Sequence, residues 1–296
     1  MKKSLLLAIM VTMSAIVMAQ SVTREPGPSP LNVSAHDPKV FTGIDGPYEK
    51  QHIAAKKFIP YVHVREADVM WSKTIWRLID LREKMNLPLY YPTKPIDGRR
   101  SLMQVIYDAV KKGDLMAYDS GQDDEFAQRI PFENVDVLLG GGTTMTQDED
   151  GNTMEVASEA RLDEVQRFLV KEVWWFDKKY SRMDVRIIGI CPIRESAQVQ
   201  EDGSMRYKSS LTFWVYYPEL RPFLSEQEVY NTRNDAQRQS FDDLMAQRRF
   251  SSYIYRESNV YNNRAIVEYT SSLDANLESR RIHNELFVKE HDMWEY

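Results

Sequence analysis

Four groups of residues have the types and spacing that could do chemistry. Asp148, Asp150, Asn152 and Glu159 fall at positions 1, 3, 5 and 12 of a calcium-binding loop, where side-chain oxygens would cage a hard cation. Position 6 of such a loop needs a glycine for its sharp turn. Here it is Thr153, and Gly151 stands two residues early, where it suits a hairpin tip instead. Gly140-Gly141-Gly142, followed by Thr143 and Thr144, offers backbone amides to a phosphate, but the Gly-Lys-Ser/Thr ending of a phosphate loop is missing. Cys191 is the one cysteine, and with one of five histidines (His36, His52, His63, His283, His291) it would make a nucleophile and base. It precedes Pro192 inside an apolar run, which predicts a buried, inert thiol rather than one activated at a helix N-terminus. The carboxylate pairs Asp123–Asp124 and Asp242–Asp243 read as solvated faces. No His-x-x-x-His zinc pattern and no Gly-x-Ser-x-Gly elbow occurs, so no metal set and no cofactor is expected. The enzymatic reading that survives is a metal-dependent or cysteine hydrolase with an unfamiliar site, built on the Asp148–Glu159 loop or on Cys191.

The chain that would carry these groups begins as an exported one. Lys2 and Lys3 precede an apolar core from Leu5 to Val17, and Val17 and Ala19 supply the small residues of a cleavage site. Residues 1–19 therefore read as a secretory signal peptide cut before Gln20. The mature chain is then expected to be exported and soluble, with no cysteine near the cut to take a lipid. The formal charge of −6 becomes two units more negative once Lys2 and Lys3 are gone, and no basic run is present. Such a balance excludes nucleic acid and an anionic membrane surface as partners.

Residues 20–50 hold Pro26, Pro28, Pro30, Pro38 and Pro47, which rule out a helix. Two readings stand, a loose leader or an extended arm docked on a neighbouring molecule, and the apolar content of Val40 to Tyr48 leans to the arm. Residues 51–296 are expected to form a single α+β domain, with amphipathic helices packed on short antiparallel strands and hairpins behind that extended N-terminal arm. The spacing of Ala67, Met70, Trp71, Ile75, Leu78 and Ile79 predicts one strong helix, stopped at Asn86 and followed by a short strand over Leu87 to Tyr91. Ser101 caps a second helix that ends at Gly113, with a strand from Leu115 to Tyr118. A hairpin spans Thr143 to Val156. Ser158 caps a third helix with Leu162, Val165, Leu169, Val173 and Phe176 inward. Val185 to Pro192 is a buried strand that returns through Asp202-Gly203, which places Cys191 opposite Trp214. The last third reads as helical, with capping boxes at Ser225/Glu228 and Ser240/Asp243. Its inward faces are Phe241–Leu244–Met245–Arg248 and Leu273–Leu277–Arg280, the latter extending to Leu286 and Phe287.

Three stretches carry a family resemblance. Arg65 to Pro92, Arg100 to Asp119 and the closing Glu290 to Tyr296 resemble the gliding-motility GldN/PorN family of the Bacteroidetes type IX secretion system. The resemblance implies a non-enzymatic ring subunit that self-associates and is held at the outer membrane by the lipoprotein PorK/GldK. It further implies contacts with the trans-periplasmic motor proteins PorL/GldL and PorM/GldM and with the lipoprotein PorW. Interface residues are then sought among surplus aromatics: Phe41 and Tyr48 in the arm, Trp71 and Trp76 in the opening stretch, Tyr90 and Tyr91 after it. Trp71 shares the Ile75–Ile79 face and reads as core, so Trp76, off the centre of that face, is the better candidate.

Overall fold

The computed structural model describes residues 56–292 apart from 97, 122–124, 148–152, 200–204, 232, 233 and 235. These residues belong to one compact unit spanning Gln51–Tyr296. Its elements run β1 (Val69–Asp80), α1 (Leu87–Tyr90), α2 (Leu102–Lys111), β2 (Ala117–Asp119), β3 (Arg129–Ile130), α3 (Phe132–Leu138), β4 (Gly142–Gln147), β5 (Thr153–Ser158), β6 (Val165–Asp177), β7 (Arg182–Val199), β8 (Met205–Leu211), β9 (Phe213–Tyr216), α4 (Tyr217–Ser225), β10 (Glu228–Val229), β11 (Gln239–Ser240), α5 (Phe241–Ala246), β12 (Tyr253–Glu257), α6 (Ile266–Tyr269) and α7 (Ser272–Asp292). The class is α+β.

An eight-stranded antiparallel sheet in the order β12-β1-β6-β7-β9-β2-β3, with β8 paired to β7, forms the frame. Its three long strands β1, β6 and β7 are covered on both faces. On one face Ile79, Phe168, Val170, Ile190, Phe213 and Val215 meet α2, α4 and α5 in the main core. On the other, Trp76, Leu78, Leu169, Cys191 and Trp214 form an aromatic cluster with Tyr118. A third cluster joins Ile75 to Ile254, Ile266, Ile282 and Leu286, where α6 and α7 close over β12.

This two-sided burial overturns two expectations, and a third fails for a local reason. The opening stretch is the strand β1 and not a helix, because Ile75 to Ile79 are buried without a break. A strand covered on both faces loses its alternation, and Met70, Trp71, Ile75, Leu78 and Ile79 then match helical spacing by coincidence. Residues 165–177 are likewise the strand β6. Ser158 ends β5 rather than capping a helix, and the Val, Phe and Trp content of β6 suits a pleated surface better than a helix. Leu87–Tyr90 is a short helix with Pro88 in its first turn, not a strand. Asn86 is not left-handed. Its side-chain amide donates to the Asp80 and Ser251 carbonyls, and its oxygen accepts from the Ser251 amide.

Of the other expectations some hold and some do not. Ser101 and Gln104 make the reciprocal capping box of α2, and Gly113 stops it at φ +78. β4 and β5 pair as the hairpin, and Ser240 with Asp243 caps α5. Ile190 pairs with Val215, the register that places Cys191 opposite Trp214, although β8 pairs with β7 one residue away from the register of a two-residue Asp202-Gly203 turn, Val199 facing Met205. Ser225 closes α4 and Glu228 lies in β10, so no capping box forms there. In α7 the inward residues are Ser279, Ile282 and Leu286, while Leu273, Leu277 and Phe287 are exposed. The signal peptide and the arm lie outside the described residues.

The strand assignment separates two residues that one helix face would unite. Ile79 is fully buried and Met70 is 67 % exposed. Ile79→Ala is expected to cost about 2–5 kcal/mol and Met70→Ala less than about 0.5, read from urea unfolding midpoints.

Candidate interaction site

The sequence-chosen aromatics do not form one patch. Trp76 is buried inside the subunit, with the Arg256 guanidinium 3.9 Å from its ring centre. Trp71 is half-buried beside the third cluster with the Lys289 ammonium 4.4 Å over it. Tyr90 is half-buried against the main core and its hydroxyl donates to the Asp163 carbonyl. Tyr91 is exposed and meets Tyr90 edge-on. Phe41 and Tyr48 lie outside the described residues.

The arrangement that does gather functional groups lies elsewhere. Residues 56–65 carry no helix or strand. They cross β6, β7, α4 and α5 as a strap and wall a cleft of about 630 Å³. In its floor the Arg221 guanidinium, from α4, forks onto Asp242, from α5, at 2.8 and 3.0 Å. Asp242 is therefore a buried ion-pair partner, not the solvated carboxylate the sequence predicts. The Tyr217 hydroxyl points at the same carboxylate. Burial first, and then the Asp242 charge, push that phenol well above its ordinary value, so it stays a neutral donor.

The strap is held through side chains. The Tyr61 ring lies between two guanidinium groups, 4.2 Å from Arg221 and 4.4 Å from Arg186 of β7. Arg186 also faces the Trp175 ring at 5.1 Å and donates to the Val62 carbonyl at 2.9 Å. Burial raises the Tyr61 phenol, and the two guanidinium charges only partly oppose this. Lys56 ties the start of the strap to Asp243. Burial pulls the Asp243 carboxyl upward, but the Lys56 ammonium with the Ser240 amide and hydroxyl outweighs it and holds the group below the ordinary carboxylate value.

Among the described residues three buried donors of this cleft have no acceptor: Arg186 Nε, Arg221 Nη1 and Trp175 Nε1. The cleft's aspartates are already engaged. Asp68 pairs with Arg65, Asp184 with Arg182, Asp242 with Arg221 and Asp243 with Lys56, while Asp177 caps the Lys179 and Tyr180 amides. Among the described carboxylates none pairs with Arg186. The sequence carries one trace of this: Arg186 is a charge set between Val185 and Ile187, just ahead of the apolar run Ile187 to Ile193.

A smaller cavity of about 380 Å³ opens between Arg77, Trp174, Arg248 and His283. Its base is Glu172, fully buried, which accepts from Arg77, Arg248 and the Trp174 indole at 3.0–3.1 Å. Burial first, then Arg77 and Arg248, push the His283 imidazole below its ordinary value, so it is neutral near pH 7. Cys191 is buried in the aromatic cluster. The tip of the calcium-loop candidate lies outside the described residues. Among the described residues no three His, Cys, Asp or Glu side chains gather as a metal site, and no helix is long and apolar enough to cross a membrane.

A family model described as "Gliding motility associated protein GldN" matches residues 64–295. The chain belongs to the GldN family. No curated protein matches the chain. The GldN match begins at Val64, within the strap, and runs through the sheet, both cavities and α7.

Two outcomes test how the strap is held in this GldN-family chain. Tyr61→Ala removes two cation–ring contacts and is expected to cost about 1–2 kcal/mol in urea unfolding, while Ile59→Ala, at 80 % exposure, costs under about 0.5. Asp243 has a depressed folded-state pKa, so its contribution is fully present above the unfolded value near 4 and is lost as pH falls through the lower folded value. The stability difference between the native chain and Lys56→Ala is therefore expected to be flat from about pH 5 to 8 and to shrink below about pH 4.

Proposed function

We propose that this chain is a non-enzymatic scaffold subunit of the type IX protein secretion and gliding motility apparatus. It acts in the periplasm, at the inner face of the outer membrane. It self-associates in a ring with the lipoprotein PorK/GldK, and meets the motor proteins PorL/GldL and PorM/GldM and the lipoprotein PorW. The observation that carries this reading is the GldN match over residues 64–295, which makes the chain a gliding-motility-associated protein. Two features support the finer role. The opening residues have the n-region, apolar core and small-residue site of a signal peptide without a lipid cysteine, which fits export followed by capture on a lipidated partner. The strapped cleft presents cationic and aromatic groups together, the chemistry of a protein-docking surface.

Affinity isolation of the tagged full-length chain from cell envelopes is expected to recover a high-mass assembly containing an outer-membrane lipoprotein. A monomer that brings nothing with it overturns the reading.

A further inference from the structure

We propose that the strapped cleft is a carboxylate-binding site, and that its occupant is the acidic β4–β5 turn of a second copy of this chain. The identification of the occupant rests on the self-associating scaffold reading; the cleft chemistry does not.

The cleft asks for an acceptor. Arg221 and Trp175 are 5 % and 8 % exposed, and each has a buried N–H without a partner among the described residues. Arg186 adds a third such N–H and a charge that no described carboxylate balances. An unmade hydrogen bond to a buried donor costs about 1–3 kcal/mol, more for a charged group, so three in one cavity point to a ligand that supplies oxygens. Seven lysines and arginines against five aspartates line the cleft, a local positive excess in a chain whose net charge is −6. A guanidinium with an unused edge takes a planar carboxylate better than a neutral acceptor.

The chain supplies a matching segment. Between β4 and β5 stand Asp148-Glu149-Asp150-Gly151-Asn152, three consecutive acids at the end of a hairpin that pairs only with itself among the described strands. Each limb has six residues, giving a length of about 20 Å. The hairpin is rooted beside Arg194, which donates to the Leu138 carbonyl and lies against Gly140. The cleft is lined by Arg186, eight residues back along β7, or about 26 Å. Root and cleft therefore sit toward opposite ends of one strand. A turn from one copy seated in the cleft of the next is a heterologous, head-to-tail contact, the kind that closes rings.

The test uses the purified full-length chain and a synthetic peptide of its residues 145–154. Saturable binding is expected, weakening with added salt and at least about tenfold weaker for Arg186→Ala. A peptide with Asn, Gln and Asn in place of the three acids should not bind. Arg186→Lys keeps the charge but loses the fork, and is expected to fall between the two. If the neutral peptide binds equally, or if the variant that removes Arg186 folds and binds as well as the native chain, the proposal is overturned. Inorganic phosphate serves as the second arm. Phosphate that displaces the peptide marks an anion site shared by both, as expected, and phosphate that binds where the peptide does not overturns the assignment of the occupant.

In the envelope assembly, Arg186→Glu alone and Asp148→Lys with Asp150→Lys alone should each release the chain from neighbouring copies, and combining them in one chain should restore association. Assembly unaffected by Arg186→Glu overturns this contact and leaves the scaffold reading standing. Absence of any assembly in the native chain overturns the scaffold reading, and peptide binding then decides the cleft on its own.

Discussion

Burial of both faces of β1, β6 and β7 is the constraint on which the rest of the molecule depends. A sheet covered on two sides needs buried side chains at consecutive positions, and these strands supply them as Ile75, Trp76, Leu78 and Ile79 around the charged Arg77 and as Phe168 to Val170. It also needs two separate sets of covering elements. α2, α4 and α5, with α6 and α7 near β12, cover one face, and the aromatics around Trp214 and Tyr118 close the other. A charge inside such a sheet must be paired where it stands. Glu172 is held by Arg77, two residues along β1 from its own ladder partner Ile75, and by Arg248, which follows α5 at φ +53. Removing one partner of a buried pair costs about 3–5 kcal/mol, so this triad penalises any slip of β1 against β6. It also pins the α5–β12 connection to the sheet.

The same constraint decides what the sequence discloses. Elements that end in a side-chain-to-backbone bond are readable, because the bond is local. Ser101/Gln104 and Ser240/Asp243 are visible as capping boxes, and Gly113 as a helix stop. The β4–β5 hairpin is readable from its turn. The long strands are not, since continuous burial erases the two-residue period and leaves apolar spacings that fit a helix equally well. Misreading β1 as a helix also inverts the choice between its tryptophans. On a helical wheel Trp76 falls off the apolar face, but in a strand buried on both sides it enters the second cluster while Trp71 sits near the edge. The cleft is almost invisible in sequence, because Tyr61, Trp175, Arg186, Arg221 and Asp242 come from five separate segments. Only the charge of Arg186 just ahead of an apolar run hints at it.

The family match and the cleft carry different kinds of information. The GldN match spans residues 64–295, the sheet and the cleft floor alike, and so includes β1 and α2, residues whose burial the fold itself demands. Those residues identify the protein without saying how it works. The groups at the cleft do the reverse. Their arrangement is not what stability asks for, since three of their buried donors lack an acceptor among the described residues.

The energetics of the strap give that excess a consequence. Two cation–ring contacts at Tyr61 and one at Phe58, backbone acceptors at Val62 and Lys56, and one partly exposed ion pair at Lys56 hold it by a few kcal/mol, with no ladder to the sheet among the described residues. The floor beneath it, Arg221 with Asp242 and Tyr217, is buried and fixed by two helices. A rigid floor under a weakly held wall is the division of labour expected where a neighbour must be admitted: the recognition groups are preorganised, and only the strap has to move. The strap passes through the single turn Glu66–Asp68 into β1, so the wall of the cleft is continuous in sequence with the strand whose pairing to β6 sets the register of the sheet.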